Sequence, residues 1–291
     1  MSSTSEKVVL RLALPKGHMQ KAVEALLADA GIAVTRGGRS YRPRLSLPGV
    51  EVKLLKPQNI VKMVHAGSRD VGFAGADWVA ELDARVESLL DTGLDPVKLV
   101  AAAPEALVNA GWPPPGSLVV ASEYERLTKK WIADRELDAR FVRSFGATEV
   151  FPPEDADCIV DNSATGGTLE ANKLLVVDEL MASSTQLLAH PAALDDPVKR
   201  EMIERLVLVL GAVLEARTRV MVEVNVSAER LEAVIAVLPC MREPTVGMLH
   251  GNSGYAVKAA VPRVDLPRVI PEVKAAGGTD IVVTRLAQIV T

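Results

Sequence analysis

Aromatic side chains are scarce in this sequence: Phe, Trp and Tyr together make up 3% of its 291 residues. Ala, Val and Leu must therefore fill the core, as in many α/β proteins. Cysteine is rarer still. Cys158 and Cys240 each lie in an apolar run with no pairing or metal-ligand spacing, which argues against a disulfide framework and reads as two buried thiols in a reducing compartment. His65, His190 and His250 show no ligand spacing either. Positive charge is not in excess: 33 Lys and Arg face 37 Asp and Glu, a net charge of -4. No global basic field invites nucleic acid, although the basic run Arg36 to Arg44 suits a small anion locally. The opening Met1 to Lys7 is polar and short, and no uncharged stretch is long enough to span a bilayer. A cytoplasmic protein is expected, neither secreted nor membrane-bound.

What is present is an alternation of strand and helix signals. Val8 to Leu14 is a β-rich run ending at Pro15-Lys16-Gly17. A helix follows, apolar at Met19, Val23, Leu26, Leu27 and Ala30, and stops at Gly31. Pro57 to Ala66 reads as a second helix, with Pro at its start and Ile60, Val61 and Val64 on one face. Val71 to Ala74 is a buried strand closed by Gly75. A second block, 98 to 180, carries strands at Leu99–Ala103, Leu118–Ala121, Phe141-Val142, Cys158–Val160 and Leu174–Val177. It also has a proline-rich loop, Gly111 to Gly116, and a helix with Tyr124, Leu127, Trp131 and Ile132 inward. Ser184 to Ala189 is one more strand. The long helix Pro197 to Arg217 is expected to carry the chain back onto the first block, giving two lobes and a cleft.

From Arg219 the texture changes. Val220, Val222, Val224 and Val226 alternate with Met221, Glu223 and Asn225, a strict period of two. Helix, strand, strand, helix and strand signals follow, so the order β-α-β-β-α-β predicts a ferredoxin-like module. Such modules more often regulate or assemble an enzyme than perform chemistry. The expected architecture is α/β. Lobe I is 1–97 with 181–217, lobe II is 98–180, and a small domain occupies 218–291.

The segment Ala156 to Leu169 reads ADCIVDNSATGGTL. An apolar strand delivers the chain to Asp161, and Asn162, Ser163, Ala164, Thr165, Gly166, Gly167 and Thr168 are all small or polar. Glycines let backbone N–H groups approach an anion and hydroxyls add donors, the composition a phosphate cradle needs. Asp161 suits ribose hydroxyls or a metal. An ordinary strand-to-helix loop is the plainer alternative. Neither the Walker pattern nor GxGxxG is present, which argues against a triphosphatase and a simple dinucleotide site.

DNSATGGTLEAN, preceded by the GATEV of Gly146 to Val150, resembles the signature of the ATP phosphoribosyltransferase family. ALPKGHMQKAVEALLADAGI, LLKPQNIVKMV, DVGFAGADW, ASEYERLTKKW, VLPCMREPTVGML and AAGGTDIVVTRL resemble other segments of the long form in the same order. The resemblance covers nearly the whole chain. It implies a two-lobed core like that of periplasmic binding proteins and an ACT-like βαββαβ C-terminal domain. The implied activity is condensation of ATP with phosphoribosyl pyrophosphate, the first step of histidine biosynthesis, with magnesium as cofactor and histidine as feedback inhibitor. A homo-oligomer, dimer or hexamer, is also implied.

Residue by residue, the resemblance assigns phosphoribosyl pyrophosphate to Asp161, Ser163, Ala164, Thr165, Gly166, Gly167, Thr168 and Glu149. It assigns ATP to Lys16, Gly17, Lys56, Asp70 and Gly75, and histidine to Glu223, Thr245 and the Gly277-Gly278 turn. Lys16, Lys56 and Asp161 become the catalytic candidates, with no metal held by protein ligands alone. Three positions depart from the family pattern. Ala164 replaces a usual Ser, His18 a common Arg, and Lys56 a common Arg, which keeps charge but loses the bidentate fork. Plainer readings stand beside these: a solvated Lys16, a turn and an N-cap at Asp77, and a helix-start carboxylate at Glu149. The resemblance also puts Lys129 and Lys130 near the pyrophosphate, against a solvated helix face for at least one of them. A solute-binding protein and a non-catalytic regulatory paralogue are the rival functions.

Overall fold

The computed structural model describes residues 9–37 and 41–290. Val8, Arg39 and the Met1 to Lys7 segment named above lie outside those residues. The chain forms two compact units, one of residues 1–28 and 32–204 and one of 29–31 and 205–291.

The first unit opens with strand β1 (Leu10–Pro15) and helix α1 (His18–Asp29), whose Met19, Val23, Leu26 and Leu27 are buried at helical spacing. A two-residue pair, β2 (Val34–Thr35) with β3 (Arg44–Leu45), precedes β4 (Val50–Leu55). Pro57 starts α2 (Pro57–His65), where its missing N–H costs nothing, and Ile60, Val61 and Val64 are fully buried. Then come β5 (Val71–Gly75), α3 (Ala76–Glu81), β6 (Glu87–Pro104), α4 (Glu105–Ala110), β7 (Leu118–Ser122), α5 (Glu125–Asp134) and β8 (Ala139–Arg143). The unit continues with β9 (Cys158–Ser163), α6 (Gly167–Ala171), β10 (Leu174–Ala189) and α7 (Pro191–Asp195), and it shares α8 (Pro197–Thr218) with the second unit.

These strands make one eight-stranded mixed sheet in the order β4-β1-β5-β10-β6-β9-β7-β8. β4, β1 and β5 run parallel on one side, and β9, β7 and β8 run parallel on the other. Between them lies a long antiparallel ribbon, β6 against β10, whose register shifts at several bulges. The sequence suggested separate strands at Leu174–Val177 and Ser184–Ala189; they are one strand of 16 residues. Likewise the strand expected at Leu99–Ala103 is the end of an 18-residue strand. The chain therefore returns to the first half of the sheet along β10 and not along the long helix.

The ribbon brings two sheet edges together. Gly75, the last residue of β5, pairs with Thr185 of β10. Ser163, the last residue of β9, pairs with Lys98 of β6, which in turn pairs with Ala182. Thus β5 and β9 approach from opposite directions, and their C-terminal ends meet within one short stretch of β10. In open α/β sheets the carboxyl ends of parallel strands are where ligands bind.

The second unit continues with β11 (Arg219–Val226), α9 (Leu231–Val237), β12 (Thr245–Met248), β13 (Tyr255–Pro262), α10 (Leu266–Ala275) and β14 (Thr279–Arg285). They form an antiparallel sheet in the order β12-β13-β11-β14. Val220, Val222, Val224 and Val226 are buried with Val234, Val257, Val261, Val269 and Val273. Each such burial contributes about 1.5–3 kcal/mol, so the period-two pattern fixes which face of the sheet turns inward.

Gly72 shows how tightly α2 lies on β5. A Cβ there would sit 2.5 Å from the Ile60 Cγ2 and 3.2 Å from the Ala13 Cβ. Gly72→Ala is expected to cost about 1–3 kcal/mol, measured as a lowered midpoint in urea denaturation with unchanged slope.

Candidate active site

β9 is buried at Cys158, Ile159 and Val160, where it lies between β6 and β7. β7 ends at Ser122, so Asp161, Asn162 and Ser163 run on beyond it, paired only with β6. Burial also pushes the Cys158 thiol up to about 12, with the Asp157 charge adding to it, so this cysteine is a core residue. The next residues turn sharply. Gly166 has φ +80°, a conformation that favours glycine, and α6 starts at Gly167. A cavity of about 320 Å³ opens there, lined by Glu149 and by every residue from Asp161 to Leu169. All the residues assigned above to phosphoribosyl pyrophosphate line this one cavity.

The cavity's rim is acidic as well as hydroxyl-bearing. Burial pushes the Asp161 carboxyl up to about 6; the charges of Glu149 and Glu123 push the same way, and the Asn162 N–H bond at 2.7 Å pulls back. Glu123 and Glu149 come from the loops that follow β7 and β8, so three strand ends supply the three carboxylates. Glu149 is presented by a loop turned at Gly146 and Ala147, both at positive φ, and pinned by a 2.7 Å hydroxyl pair between Ser144 and Thr148. Sequence reasoning missed Glu123. Its signal was there: a carboxylate directly after an apolar strand that neighbours β9.

The opposite edge carries the other candidates. Pro15 pairs with Leu55, so Lys16 and Lys56 follow the ends of adjacent parallel strands. Lys16 is half-buried with its ammonium 5.1 Å from the Tyr41 ring centroid, and Gly17 has φ +95°. Lys56 is exposed and precedes Pro57 at the start of α2. Gly75 ends β5, and a side chain there would collide with the Asp77 carboxylate. Asp70 is elsewhere. It lies at the N-terminal end of β5, where its carboxylate accepts from the Arg11 guanidinium at 2.9 and 3.1 Å and from Lys199 at 2.8 Å. Burial opposes its ionisation, but these bonds outweigh it and hold the carboxyl below its usual range. Asp70 therefore lies at the opposite end of β5 from Gly75, and the structure does not bring it to the strand ends that carry Lys16 and Lys56.

Asp77 is neither an N-cap nor free in a turn. It is buried in the first turn of α3, accepts from Ser183 Oγ at 2.7 Å, and accepts from the Tyr124 hydroxyl at 2.6 Å. Tyr124 in turn accepts from the Asn162 amide at 3.0 Å. Burial, then the Asp77 charge, raises the Tyr124 phenol far above its usual range, so it stays a donor. Lys129 and Lys130 are exposed and paired within α5 to Glu125 and Asp134 at 2.6 and 2.5 Å. Trp131 is buried with its indole N–H on Asp178 at 2.8 Å. His18 is exposed, while His65 and His190 accept backbone N–H groups of Arg85 and Ala192. Among the described residues no group of three His, Cys, Asp or Glu is placed to hold a metal. None of the described helices is long and apolar enough to cross a membrane.

In the second unit, Glu223, Lys258 and Thr245 lie abreast on β11, β13 and β12, with a 3.0 Å Glu223–Lys258 ion pair. Gly277 stands apart from that row. It precedes β14 at φ +106°, against the Arg230 side chain.

The sequence profile of the HisG ATP phosphoribosyltransferase family matches residues 56–211, and the profile of the HisG C-terminal domain matches 216–288. The chain belongs to the ATP phosphoribosyltransferase family. The ATP phosphoribosyltransferase of Pelotomaculum thermopropionicum is 35% identical over 287 residues, covering 97% of this chain and 99% of its own. That of Chlorobium luteolum is 35% identical over 283 residues, 96% of each. The solved ATP phosphoribosyl transferase (HisG:HisZ) complex from Thermotoga maritima contains a chain similar in fold, with a TM-score of 0.63 and 24% identity, over 71% of this chain and 99% of that one. The activity that follows from family membership is the condensation of ATP with phosphoribosyl pyrophosphate, the first step of histidine biosynthesis.

The carboxyl of Asp161 makes a prediction about stability and pH. Its value in the folded chain lies above the unfolded one, so between roughly pH 4 and about 6 the native state holds more proton than the unfolded chain. The stability it contributes therefore falls as pH rises through that window. Asp161→Asn is expected to be the more stable protein at about pH 8, by about 1–2 kcal/mol, and to match the parent near about pH 4. Thermal melts at both pH values check this.

Proposed function

We propose that the cavity at Asp161–Leu169 holds the 5′-phosphate and ribose of phosphoribosyl pyrophosphate, and that the opposed edge with Lys16, Gly17, Lys56 and Gly75 receives ATP. The observation that supports this reading is the meeting of the C-terminal ends of β5 and β9 within one short stretch of β10. Thr165, Thr168 and the amides around Gly166 and Gly167 suit the phosphate, and Ala164 leaves one hydroxyl fewer than the family pattern. Asp161 and Glu149 suit the ribose hydroxyls. Asp70, committed to Arg11 and Lys199, supports the first half of the sheet from its far end.

In the reaction, adenine N1 of ATP bonds to the anomeric carbon as the bond from that carbon to pyrophosphate breaks, and the leaving group takes the electron pair. Little proton transfer is needed. The chain's work is to align two anions and to balance charge that builds on the leaving pyrophosphate. Lys16 and Lys56 are the cations for that role. A bound magnesium ion would supply positive charge to offset that on the leaving pyrophosphate. Asp161, Glu149 and Glu123 are the carboxylates that would hold it. Family membership disfavours the solute-binding alternative, and the intact loop disfavours a non-catalytic paralogue.

The same reading treats the first unit as two lobes joined at the β6–β10 ribbon, in the manner of periplasmic binding proteins, with lobe I as 1–97 and 181–217 and lobe II as 98–180. The module 218–291 is read as ACT-like and as the histidine-responsive part, with Glu223 and Thr245 in one row supporting a ligand site there. Its two edge strands, β12 and β14, are exposed and offer unpaired backbone groups to further copies, which supports a homo-oligomer, dimer or hexamer. Both substrates are cytoplasmic metabolites, which supports that location.

Two measurements follow. Thr165→Val removes a hydrogen bond to a charged ester, about 1.5–3 kcal/mol, and should raise KM for phosphoribosyl pyrophosphate roughly ten- to a hundredfold while KM for ATP moves little. Equal effects on both substrates overturn the assignment. Thr245→Val should weaken histidine inhibition without changing uninhibited turnover, and unchanged inhibition removes Thr245 from the regulatory site.

A further inference from the structure

The helix α5 begins without a cap of its own. Its N-cap residue, Tyr124, offers no capping bond from its side chain, since its hydroxyl is given to Asp77. The cap comes from the other half of the sheet. Glu81, the last residue of α3 and 7% exposed, accepts the backbone N–H of Arg126 and of Leu127, each at 3.0 Å. A carboxylate at a helix N-terminus satisfies orphan donors and meets the favourable end of the dipole. Arg126 answers in the reverse direction, donating to the Ala80 carbonyl at 2.8 Å and to Asp83 at 3.1 Å. Four residues earlier on α3, Asp77 holds the Tyr124 hydroxyl, and the Trp78 ring stacks on the Tyr124 ring with centroids 4.6 Å apart.

These contacts form a single clasp between α3, which follows β5, and the start of α5, which follows β7. Its inner end reaches the candidate sugar-phosphate loop. The Asn162 amide donates to the Tyr124 hydroxyl, and Asn162 is bonded through its own N–H to Asp161. Moving the start of α5 therefore moves Tyr124, then Asn162, then Asp161. We propose that Glu81 is a positioning residue for phosphoribosyl pyrophosphate: it fixes the start of α5 from the opposite half of the sheet and, through Tyr124 and Asn162, sets the loop at Asp161. This rests on the reading of that loop as the sugar-phosphate site.

Glu81 itself touches neither the loop nor the cavity lining, so a purely structural role would lower stability and leave the balance between the two substrates alone. Glu81→Gln keeps shape and one acceptor oxygen while removing the charge. It should raise KM for phosphoribosyl pyrophosphate about five- to tenfold, and KM for ATP by less than about twofold. Tyr124→Phe should do the same, because it cuts the bridge to Asn162. Since both break one clasp, the double variant should be non-additive, with a sugar-substrate KM within about twofold of the worse single variant. Thr165→Val serves as the control on the loop itself. If that control leaves the sugar-substrate KM unchanged, the loop assignment falls and takes the clasp with it. If the control responds while Glu81→Gln shifts both KM values equally or neither, the loop assignment stands and the positioning role of Glu81 is overturned. Additive effects in the double variant overturn it as well, since they place Glu81 and Tyr124 on separate routes.

Discussion

The antiparallel pairing of β6 with β10 is the constraint on which the first unit depends. Each half of the sheet has its own parallel trio, and each trio is joined to the ribbon by only one strand: β5 on one side, β9 on the other. The pairing fixes where those two strands stop. Both stop near the same place on β10, so the loop that follows β9 and the turn that follows β5 start from neighbouring points of the sheet. No single motif creates that geometry; it is a consequence of register.

Local chemistry then refines what register provides. Burial alone makes the charged form of Asp161 unfavourable, and the nearby Glu149 and Glu123 deepen the effect. A carboxylate held this way gains from any hydrogen-bond donor or cation brought beside it. Asp70, just before β5 in the other half of the sheet, shows the contrary case. Two cations and a backbone N–H settle it completely, and it serves the fold.

The sequence was most legible where one period ran unbroken. Pro57 with Ile60, Val61 and Val64 defined α2 to within a residue, and the alternating valines defined β11. The loop at Asp161 was legible from composition, since small polar residues between an apolar strand and a helix have few other uses. The ribbon was not. In β10, bulges near Asp178, Met181 and Thr185 reset the in-out phase, so the pattern looked like two short strands. The first half of β6, from Glu87 to Val97, mixes polar and apolar residues, pairs with β10 alone and is buried only at Thr92, which gives periodicity little to detect. Glu123 and Glu81 escaped because their roles are set by partners far along the chain, and Asp70 misled because a strand-flanking aspartate looks the same at either end of the strand.

The bulges in the ribbon also bear on compliance. A regular ladder resists bending, because every bond in a row must stretch together. Unpaired extra residues interrupt that row and leave short stiff segments joined by softer ones. In this chain the soft joints lie along β10, between the two parallel trios, and the buried cores at Leu99–Ala103 and around Ile60 lie to either side of them. A displacement of one half of the sheet relative to the other would therefore bend backbone already released from strict pairing before it disturbed the packed interiors.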